Sequence, residues 1–346
     1  MKKNQIGKTN LSLTNLGIGT APIGGWPKAL NENKALEILE TAWQNGIRYF
    51  DTAPLYGFGM AEERLGKFLK NKKKEDYVIS TKVGRLIVES SKETSEEPFF
   101  KGAPNREPFF DFSYDATMRS FEESLNRLQI DKVDILLIHD PDNHFNEAIN
   151  GALKAILKLK DEKVVSAVGC GMNQNEMLTD FANTGLVDCF LLAGRFTLLD
   201  QRSIEKLIPA CEKNSVSLII GGVFNSGILV DPSSSSYFDY AQLDDSWLEK
   251  AKKLGVRKPE SYESNKYWLD KASKINKICE NNGVSLKTAA LNFPYLNKNI
   301  ATVLTGVSSN DEVHENLENY NKKINKDLWN QLLIEGLIEK KAINLL

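Results

Sequence analysis

The sequence predicts an α/β fold, a single (β/α)8 TIM barrel that spans residues 1–346. Short apolar runs typical of buried strands alternate with segments of helical periodicity, and this unit recurs eight times. No change of composition divides the chain into separate domains. No Gly-x-Gly-x-x-Gly motif follows the first strand, which argues against the runner-up fold, an open doubly wound sheet with a Rossmann-type start.

The elements follow in a regular order. Residues 5–16 predict an N-terminal hairpin around Gly7 and Asn10 that covers one end of the barrel. Strands are predicted at 16–20, 47–50, 77–83, 133–138, 165–170, 187–192, 216–221 and 300–304. Helices are predicted at 32–45, 61–69, 114–128, 147–159, 174–182, 204–213, 266–281, 285–297, 311–319 and 326–341. Residues 84–113 have no regular pattern, and residues 231–258 indicate a loop insertion at the C-terminal face.

Composition and charge limit the kinds of partner and location that the protein can have. Acidic and basic residues nearly balance at a net charge of −2, which argues against nucleic acid or an anionic membrane as partner and favours a small molecule. The apolar runs are only strand-length and the N-terminus lacks a signal core, so we expect a soluble, cytoplasmic protein. The four cysteines are widely separated, which predicts reduced buried thiols and no metal site. The sequence does not predict the oligomeric state.

Polar side chains stand where three neighbouring strands end. Asp51, Lys82 and His139 stand at the C-terminal ends of the second, third and fourth strands, and Tyr56 lies in the loop after the second. Adjacent strands of a sheet are about 4.8 Å apart, so these four side chains are expected to meet at the barrel mouth. Such a cluster fits proton transfer to or from a carbonyl or hydroxyl oxygen. The alternative is a buried Asp–Lys ion pair with a packing tyrosine and a core histidine.

These residues lie in motifs that resemble the aldo-keto reductase family over essentially the whole chain. The family signature is matched by Gly46, Asp51, Thr52, Ala53, Tyr56, Gly57, Glu62, Leu65 and Gly66. STK ending at Lys82 and LLIHD around His139 match its other two catalytic segments. The resemblance implies a barrel that binds NAD(P)H in an extended pose, with Asp51, Tyr56, Lys82 and His139 as the catalytic tetrad. Tyr56 is then the proton donor or acceptor, and Lys82 and Asp51 are expected to lower its pKa.

The resemblance also implies a set of cofactor contacts. They are Gly19, Thr20, Asp51, Asn173, Phe196, Phe224, Asn225, Ser226, Gly227, Ser308, Glu312 and Asn316. Asn173 is assigned to the carboxamide, with a one-residue shift from the family pattern, and Phe196 to stacking on the nicotinamide. Ser226 and Gly227 are assigned to the pyrophosphate, although an ordinary glycine turn is the alternative there.

The adenosine end of this implied site predicts NAD as cofactor, with NADP as the alternative. Gly306, Ser308 and Glu312 stand where members that prefer NADP place Lys or Arg, and a carboxylate repels a 2′-phosphate. Lys322 or Lys323 would favour NADP if either reached this end from a neighbouring helix.

Finer likeness points to the aldose 1-dehydrogenase branch of the family, which includes L-fucose, D-threo-aldose and L-galactose dehydrogenases. It rests on residues 112–128, 138–142 and 193–201 and on the glycines flanking Cys170. The implied reaction oxidises the anomeric hydroxyl of an aldose to a lactone, with Trp26, Asp140 and Arg195 as substrate contacts.

Several alternatives stay open at this point. The alternative for Trp26 is plain packing, and the alternative for Arg195 is an ion pair with a nearby carboxylate. Pyridoxal or another aromatic aldehyde or alcohol is the competing substrate, for which the aromatic segment at residues 98–112 would form a wall. A non-catalytic, cofactor-sensing or partner-binding subunit is the competing function.

Overall fold

Eight parallel strands close into a barrel in a computed structural model that describes residues 1–90, 99–233 and 265–345. The barrel strands are β1 Leu16–Gly19, β2 Tyr49–Asp51, β3 Val78–Val83, β4 Ile135–His139, β5 Ala167–Met172, β6 Cys189–Ala193, β7 Ser217–Gly221 and β8 Ile300–Gly306. Each strand pairs with the next along the chain, and β8 pairs with β1 through the register Val303 to Leu16. The predicted (β/α)8 barrel is therefore confirmed, and the open sheet is wrong.

Helices lie between the strands and pack on the outside of the barrel. They are α1 Glu32–Gln44, α2 Met60–Leu69, α3 Tyr114–Leu128, α4 Leu153–Asp161, α5 Glu176–Asn183, α6 Leu207–Asn214, α7 Asn265–Asn281, α8 Leu286–Asn292, α9 Asn310–Asn321 and α10 Lys326–Ile334. Several begin at a capping side chain, as where Ser113 accepts a hydrogen bond from the Ala116 amide at the start of α3. The last helix ends at Ile334, earlier than predicted, because Gly336 has a φ of 64° that stops the helical path.

The N-terminal hairpin pairs Lys3–Gln5 with Ser12–Thr14 and closes the bottom of the barrel, as predicted. Ile6 and Leu13 of this hairpin are fully buried and join the cluster that fills the barrel interior.

A second antiparallel hairpin, which we call the loop hairpin, corrects the prediction of irregular structure after β3. It pairs Arg85–Glu89 with Arg106–Phe110. The signal was obscured because the two strands are separated by a long connection and the second contains Pro108, which is tolerated only at a sheet edge. The insertion predicted at 231–258 lies mostly outside the described residues.

Side chains alternate strictly along β2 and β3, and this alternation positions the site. Tyr49 belongs to the cluster inside the barrel, whereas its neighbour Phe50 packs in the layer beneath the helices. Because successive side chains of a strand point to opposite faces, Asp51 shares the inner face with Tyr49. The same rule brings Ser80 and Lys82 inside, next to Asp51 in the paired register.

In the described part of the chain, no helix is long and apolar enough to cross a membrane, and no cluster of three potential metal ligands occurs. All four cysteines are buried free thiols.

Candidate active site

The four predicted catalytic side chains meet at the C-terminal mouth of the barrel. Lys82 Nζ donates to Asp51 Oδ2 at 2.7 Å and to the Tyr56 hydroxyl at 3.2 Å. The ammonium also lies 4.6 Å from the centre of the Tyr56 ring. The His139 imidazole stands edge-on to that ring, with centroids 5.9 Å apart and planes at 89°. The predicted spatial cluster is therefore present.

A chain of hydrogen bonds below the cluster holds the buried ion pair in place. Lys82 and Asp51 are each 1 % exposed, and burial of two charges is unfavourable unless further hydrogen bonds satisfy them. Ser80 Oγ donates to Asp51 Oδ1 at 2.7 Å, the Tyr49 hydroxyl lies 2.9 Å from Ser80 Oγ, and the Thr52 carbonyl accepts from Lys82 at 2.8 Å. Sequence reasoning missed Ser80 and Tyr49, although each lies two residues before a predicted site residue on the same strand face.

Two glycines allow the Tyr56 loop to approach the loop after β1. A Cβ on Gly24 would lie 2.7 Å from the Tyr56 carbonyl carbon, so only glycine fits there. Gly57 has a φ of 62°, a left-handed conformation that glycine adopts without strain. This close contact fixes the backbone on which the Tyr56 side chain stands.

Electrostatics at the cluster differ from the prediction in one respect. Burial raises the pKa of Tyr56, Lys82 opposes that rise, and Asp51 adds to it because a carboxylate disfavours a nearby phenolate. Burial disfavours the charged form of Lys82, but Asp51 and Tyr56 outweigh it and raise the Lys82 pKa. The expectation that Lys82 and Asp51 together keep the Tyr56 pKa low is thus wrong for the unliganded site, because burial outweighs the effect of Lys82. As expected, the Asp51 carboxylate holds Lys82 charged beside Tyr56.

His139 is a neutral imidazole in this environment. Burial, then Arg85, then Lys82 hold its pKa well below its ordinary value. A neutral imidazole carries one N–H donor, so it can hydrogen-bond a hydroxyl or carbonyl oxygen above Tyr56.

Arg85 and Asp140 form a second ion pair at the mouth. Arg85 is 2 % exposed and its Nη2 donates to Asp140 Oδ2 at 3.1 Å, while the same carboxylate oxygen is 3.4 Å from His139 Nε2. Burial raises the pKa of Asp140 to about 6, against the opposing effect of Arg85. Sequence reasoning missed Arg85, although it follows Lys82 by three residues and lies just beyond the end of β3.

Several predicted cofactor residues fit an extended polar ligand across the mouth. A Cβ on Gly19 would meet no heavy atom of the described residues within 4 Å, so these residues leave open space at the end of β1. The Thr20 hydroxyl and the Asn225 side-chain oxygen are buried without a hydrogen-bond partner among the residues described. Asn225, Ser226 and Gly227 have φ values of 46°, 56° and 103°, an unusual run in the loop after β7. Open space and unsatisfied polar atoms are what a bound dinucleotide would fill. Asn173 is half-buried just after β5.

Two predicted contacts are placed elsewhere. The Phe196 ring is fully buried against Phe293, with centroids 5.5 Å apart, so it has no free face and the prediction that it stacks on a nicotinamide is wrong. Phe224, another predicted cofactor contact, lies in the loop after β7 and is half-buried.

Arg195, predicted as a substrate contact, donates to the Gly194 carbonyl at 3.0 Å and lies 3.9 Å from Asp200, which favours the alternative of an internal ion pair.

The predicted adenosine end lies at the start of α9. Ser309 caps this helix by accepting from the Glu312 amide at 3.1 Å, and the Glu312 carboxylate accepts from the Ser308 amide at 2.7 Å. Asn316 follows one turn later and is buried. Lys322 follows the last residue of the same helix, about 15 Å along its axis from Glu312, and pairs with Glu318. The idea that Lys322 reaches the start of α9 is therefore wrong. Lys323 is the next residue in the chain and lies one position further from the end of the helix.

An aromatic wall, formed by Trp26, Phe99 and Phe100, stands beside Tyr56. Trp26 stacks on Phe99 with centroids 5.2 Å apart and planes at 12°. Phe100 lies 6.1 Å from Trp26 and 6.4 Å from Tyr56. Trp26 is half-buried, so it both packs and contributes to the wall.

A parallel (β/α)8 barrel with Asp, Lys, Tyr and His clustered at its mouth defines a class of nicotinamide-dependent oxidoreductases. Residues 15–334 match the aldo/keto reductase family, and the chain belongs to that family. The protein is an NAD(P)-dependent oxidoreductase, as predicted.

Characterised relatives differ in substrate. The chain is 34 % identical to pyridoxal 4-dehydrogenase of Microbacterium luteolum, over 97 % of this chain and 98 % of that protein. It is also 34 % identical to D-threo-aldose 1-dehydrogenase of a Pseudomonas species, over 95 % of both chains. Identity to L-galactose dehydrogenase of Arabidopsis thaliana is 27 %, over 90 % of this chain and 86 % of the relative.

Solved structures agree on the fold. An aldo-keto reductase from Bacillus halodurans superposes with a TM-score of 0.72 at 22 % identity, over 100 % of this chain and 97 % of the other. A glycerol dehydrogenase from Gluconobacter oxydans superposes with a TM-score of 0.71 at 20 % identity, over 99 % and 96 %.

Proposed function

We propose that this protein is an NAD-dependent dehydrogenase that oxidises the anomeric hydroxyl of an aldose to a lactone. The observation that carries the proposal is the Tyr56 hydroxyl, held 3.2 Å from the buried Lys82 ammonium and flanked by neutral His139. In this arrangement Tyr56 takes the hydroxyl proton of the substrate, and the His139 N–H holds the same oxygen.

The charges around Tyr56 determine whether the rate of oxidation rises or falls with pH. Since burial raises its pKa and Lys82 is the group that opposes the rise, Tyr56 is a phenol in the unliganded site at neutral pH. Oxidation needs the phenolate, so its rate should rise with pH. When bound, the oxidised cofactor supplies the hydride acceptor and an additional positive charge.

The choice of NAD rests on Glu312. Its carboxylate already occupies the N-terminal end of α9 by accepting from the Ser308 amide. A helix N-terminus favours one negative group, and a second anion such as a 2′-phosphate would be repelled by the first. A ribose hydroxyl can instead donate to this carboxylate.

The aromatic wall favours a second candidate substrate, pyridoxal or another flat aromatic aldehyde or alcohol. The half-buried Trp26 ring lies against Phe100, whose ring centroid is 6.4 Å from that of Tyr56, and aromatic faces bind flat rings by stacking. The two candidates share one chemistry, because pyridoxal, like an aldose, forms a cyclic hemiacetal whose oxidation gives a lactone.

A panel of L-fucose, L-galactose, D-arabinose and pyridoxal, each with NAD and with NADP, tests the proposal. We expect NADH formation with at least one aldose, and activity on pyridoxal alone would overturn the aldose assignment. Tyr56→Phe should lower kcat by about 100-fold or more while the Kd for NAD stays unchanged.

Tyr77→Phe is the matched control for this substitution. It also removes a buried phenol whose ring lies under a lysine ammonium, 4.6 Å from Lys74, but at the opposite end of the barrel. Near wild-type turnover by Tyr56→Phe would contradict the assignment of Tyr56.

A further inference from the structure

Arg85 makes contacts that a structural ion pair alone would not require. It is the first residue of the loop hairpin, and its guanidinium is almost completely buried. Burial of a guanidinium is unfavourable unless its N–H groups donate hydrogen bonds. The acceptors of these bonds show which groups Arg85 holds in place. Nη1 donates to the His139 carbonyl at 3.0 Å and Nη2 donates to the Asp140 carboxylate at 3.1 Å.

The two bonds hold a strained backbone position, one at the preceding carbonyl and one at the side chain of the strained residue. Asp140 has a φ of 44°, a left-handed conformation that side chains other than glycine adopt at some cost. Its amide donates to the Gly171 carbonyl at 3.1 Å, so the turn is tied to β5 on one side and to Arg85 on the other. The direction of the His139 side chain depends on this turn, because His139 is the last residue of β4.

Further contacts fix Arg85 itself. Its guanidinium carbon lies 4.6 Å from the centre of the Phe110 ring, across the loop hairpin. The Ser120 hydroxyl of α3 donates to the Arg85 carbonyl at 3.0 Å. Arg85 is therefore held by the loop hairpin, by α3 and by the turn after β4. Its planar guanidinium points two N–H donors at this turn in fixed directions, a geometry that a lysine ammonium cannot reproduce.

We propose that Arg85 is a positioning residue, which directs His139 towards the oxygen above Tyr56 and holds the Asp140 carboxylate at the barrel mouth. This inference rests on the catalytic roles proposed for Tyr56 and His139. Asp140 would then accept a hydrogen bond from a second hydroxyl of the substrate.

The charges around the turn support this function. His139 faces Arg85, Lys82, Asp140 and the Tyr56 ring, and Arg85 is the second cause, after burial, of its low pKa. Asp140 faces Arg85, His139, Lys82 and Asp142, and Arg85 opposes the effect of burial on its pKa. Loss of Arg85 should therefore raise the pKa of both groups.

The test compares Arg85→Met and Arg85→Lys with Arg48→Met as matched control. Arg48 also donates to backbone carbonyls, those of Trp43 and Ile47, and also stacks on an aromatic ring, but it lies at the start of β2 and away from the mouth. Arg85→Met should lower kcat for the aldose or pyridoxal substrate that the wild type oxidises by about 10- to 100-fold. Arg85→Lys should retain part of the activity, and Arg48→Met all of it, with the Kd for NAD unchanged throughout.

A second readout needs no substrate. The chain has three histidines, so the imidazole NMR signals of His139 can be assigned from a His139→Gln spectrum and titrated in the cofactor-free protein. We expect the pKa of His139 to lie well below the ordinary imidazole value in the wild type, and to shift upward in Arg85→Met.

The outcomes separate the two proposals. Wild-type kcat and an unchanged His139 titration in Arg85→Met would overturn the inference, as would an equal loss of kcat in Arg48→Met. If Arg85→Met does not fold, the same two readouts on Arg85→Lys decide, and wild-type values there would overturn it. Full activity of Tyr56→Phe would instead refute the proposed function.

Discussion

Removal of the Lys82 ammonium should lower both stability and turnover, but for two different physical reasons. The structure indicates a double variant that separates these two effects. In Lys82→Met the Asp51 carboxylate, 1 % exposed, loses its partner at 2.7 Å. An uncompensated buried charge costs about 3–5 kcal/mol of unfolding free energy. Tyr56 also loses the group that opposes the burial-driven rise of its pKa, so kcat should fall by about 100-fold or more.

The double variant Lys82→Met with Asp51→Asn isolates the two effects. Its buried amide is neutral, and the amide oxygen can still accept from Ser80 Oγ as the carboxylate does at 2.7 Å. We expect most of the lost stability to return, to within about 1–2 kcal/mol of the wild type, since no unpaired charge remains. Catalysis should not return, because no ammonium lies beside Tyr56.

Urea unfolding followed by circular dichroism measures the stability, and NADH absorbance measures the turnover. Recovery of both stability and turnover in the double variant would refute the reasoning, because Lys82 would then be needed only to neutralise Asp51. Unchanged stability of Lys82→Met would refute the buried ion pair itself.

Three further predictions follow from single residues. Because burial raises the pKa of Asp140 to about 6, and its ionised form is the acceptor, kcat/KM should fall as pH drops through about 6, and Asp140→Asn should lose this dependence. The same acid limb in Asp140→Asn would assign it to another group. Glu312→Lys should raise kcat/KM for NADP relative to NAD by about tenfold or more, with a smaller change in Glu312→Gln, and an unchanged ratio in both would contradict the NAD assignment. Trp26→Leu should raise KM for pyridoxal about tenfold and KM for aldoses less, whereas equal KM values before and after the change would show that Trp26 only packs.

Much of the fold was predictable because its signals are local. Each strand of the barrel is a short apolar run, and the order of pairing follows from the alternation of strands and helices. The loop hairpin escaped prediction because its cross-strand pairs, such as Glu89 with Arg106, join residues that are distant in the sequence.

The catalytic cluster was predictable for a related reason. In a parallel barrel all strands end on the same face, so residues at the ends of neighbouring strands are neighbours in space wherever they stand in the chain. Asp51, Lys82 and His139 needed only correct strand ends to be placed together.

The sequence by itself determined the (β/α)8 topology, the family and the four residues at the mouth, since periodicity and motif are properties of consecutive residues. Only the tertiary structure decided that Asp51 raises the pKa of Tyr56, that Phe196 is buried against Phe293 and that Arg85 reaches the His139 turn. Burial and electrostatic effects depend on every atom within a few ångströms, and here those atoms come from segments far apart in the chain.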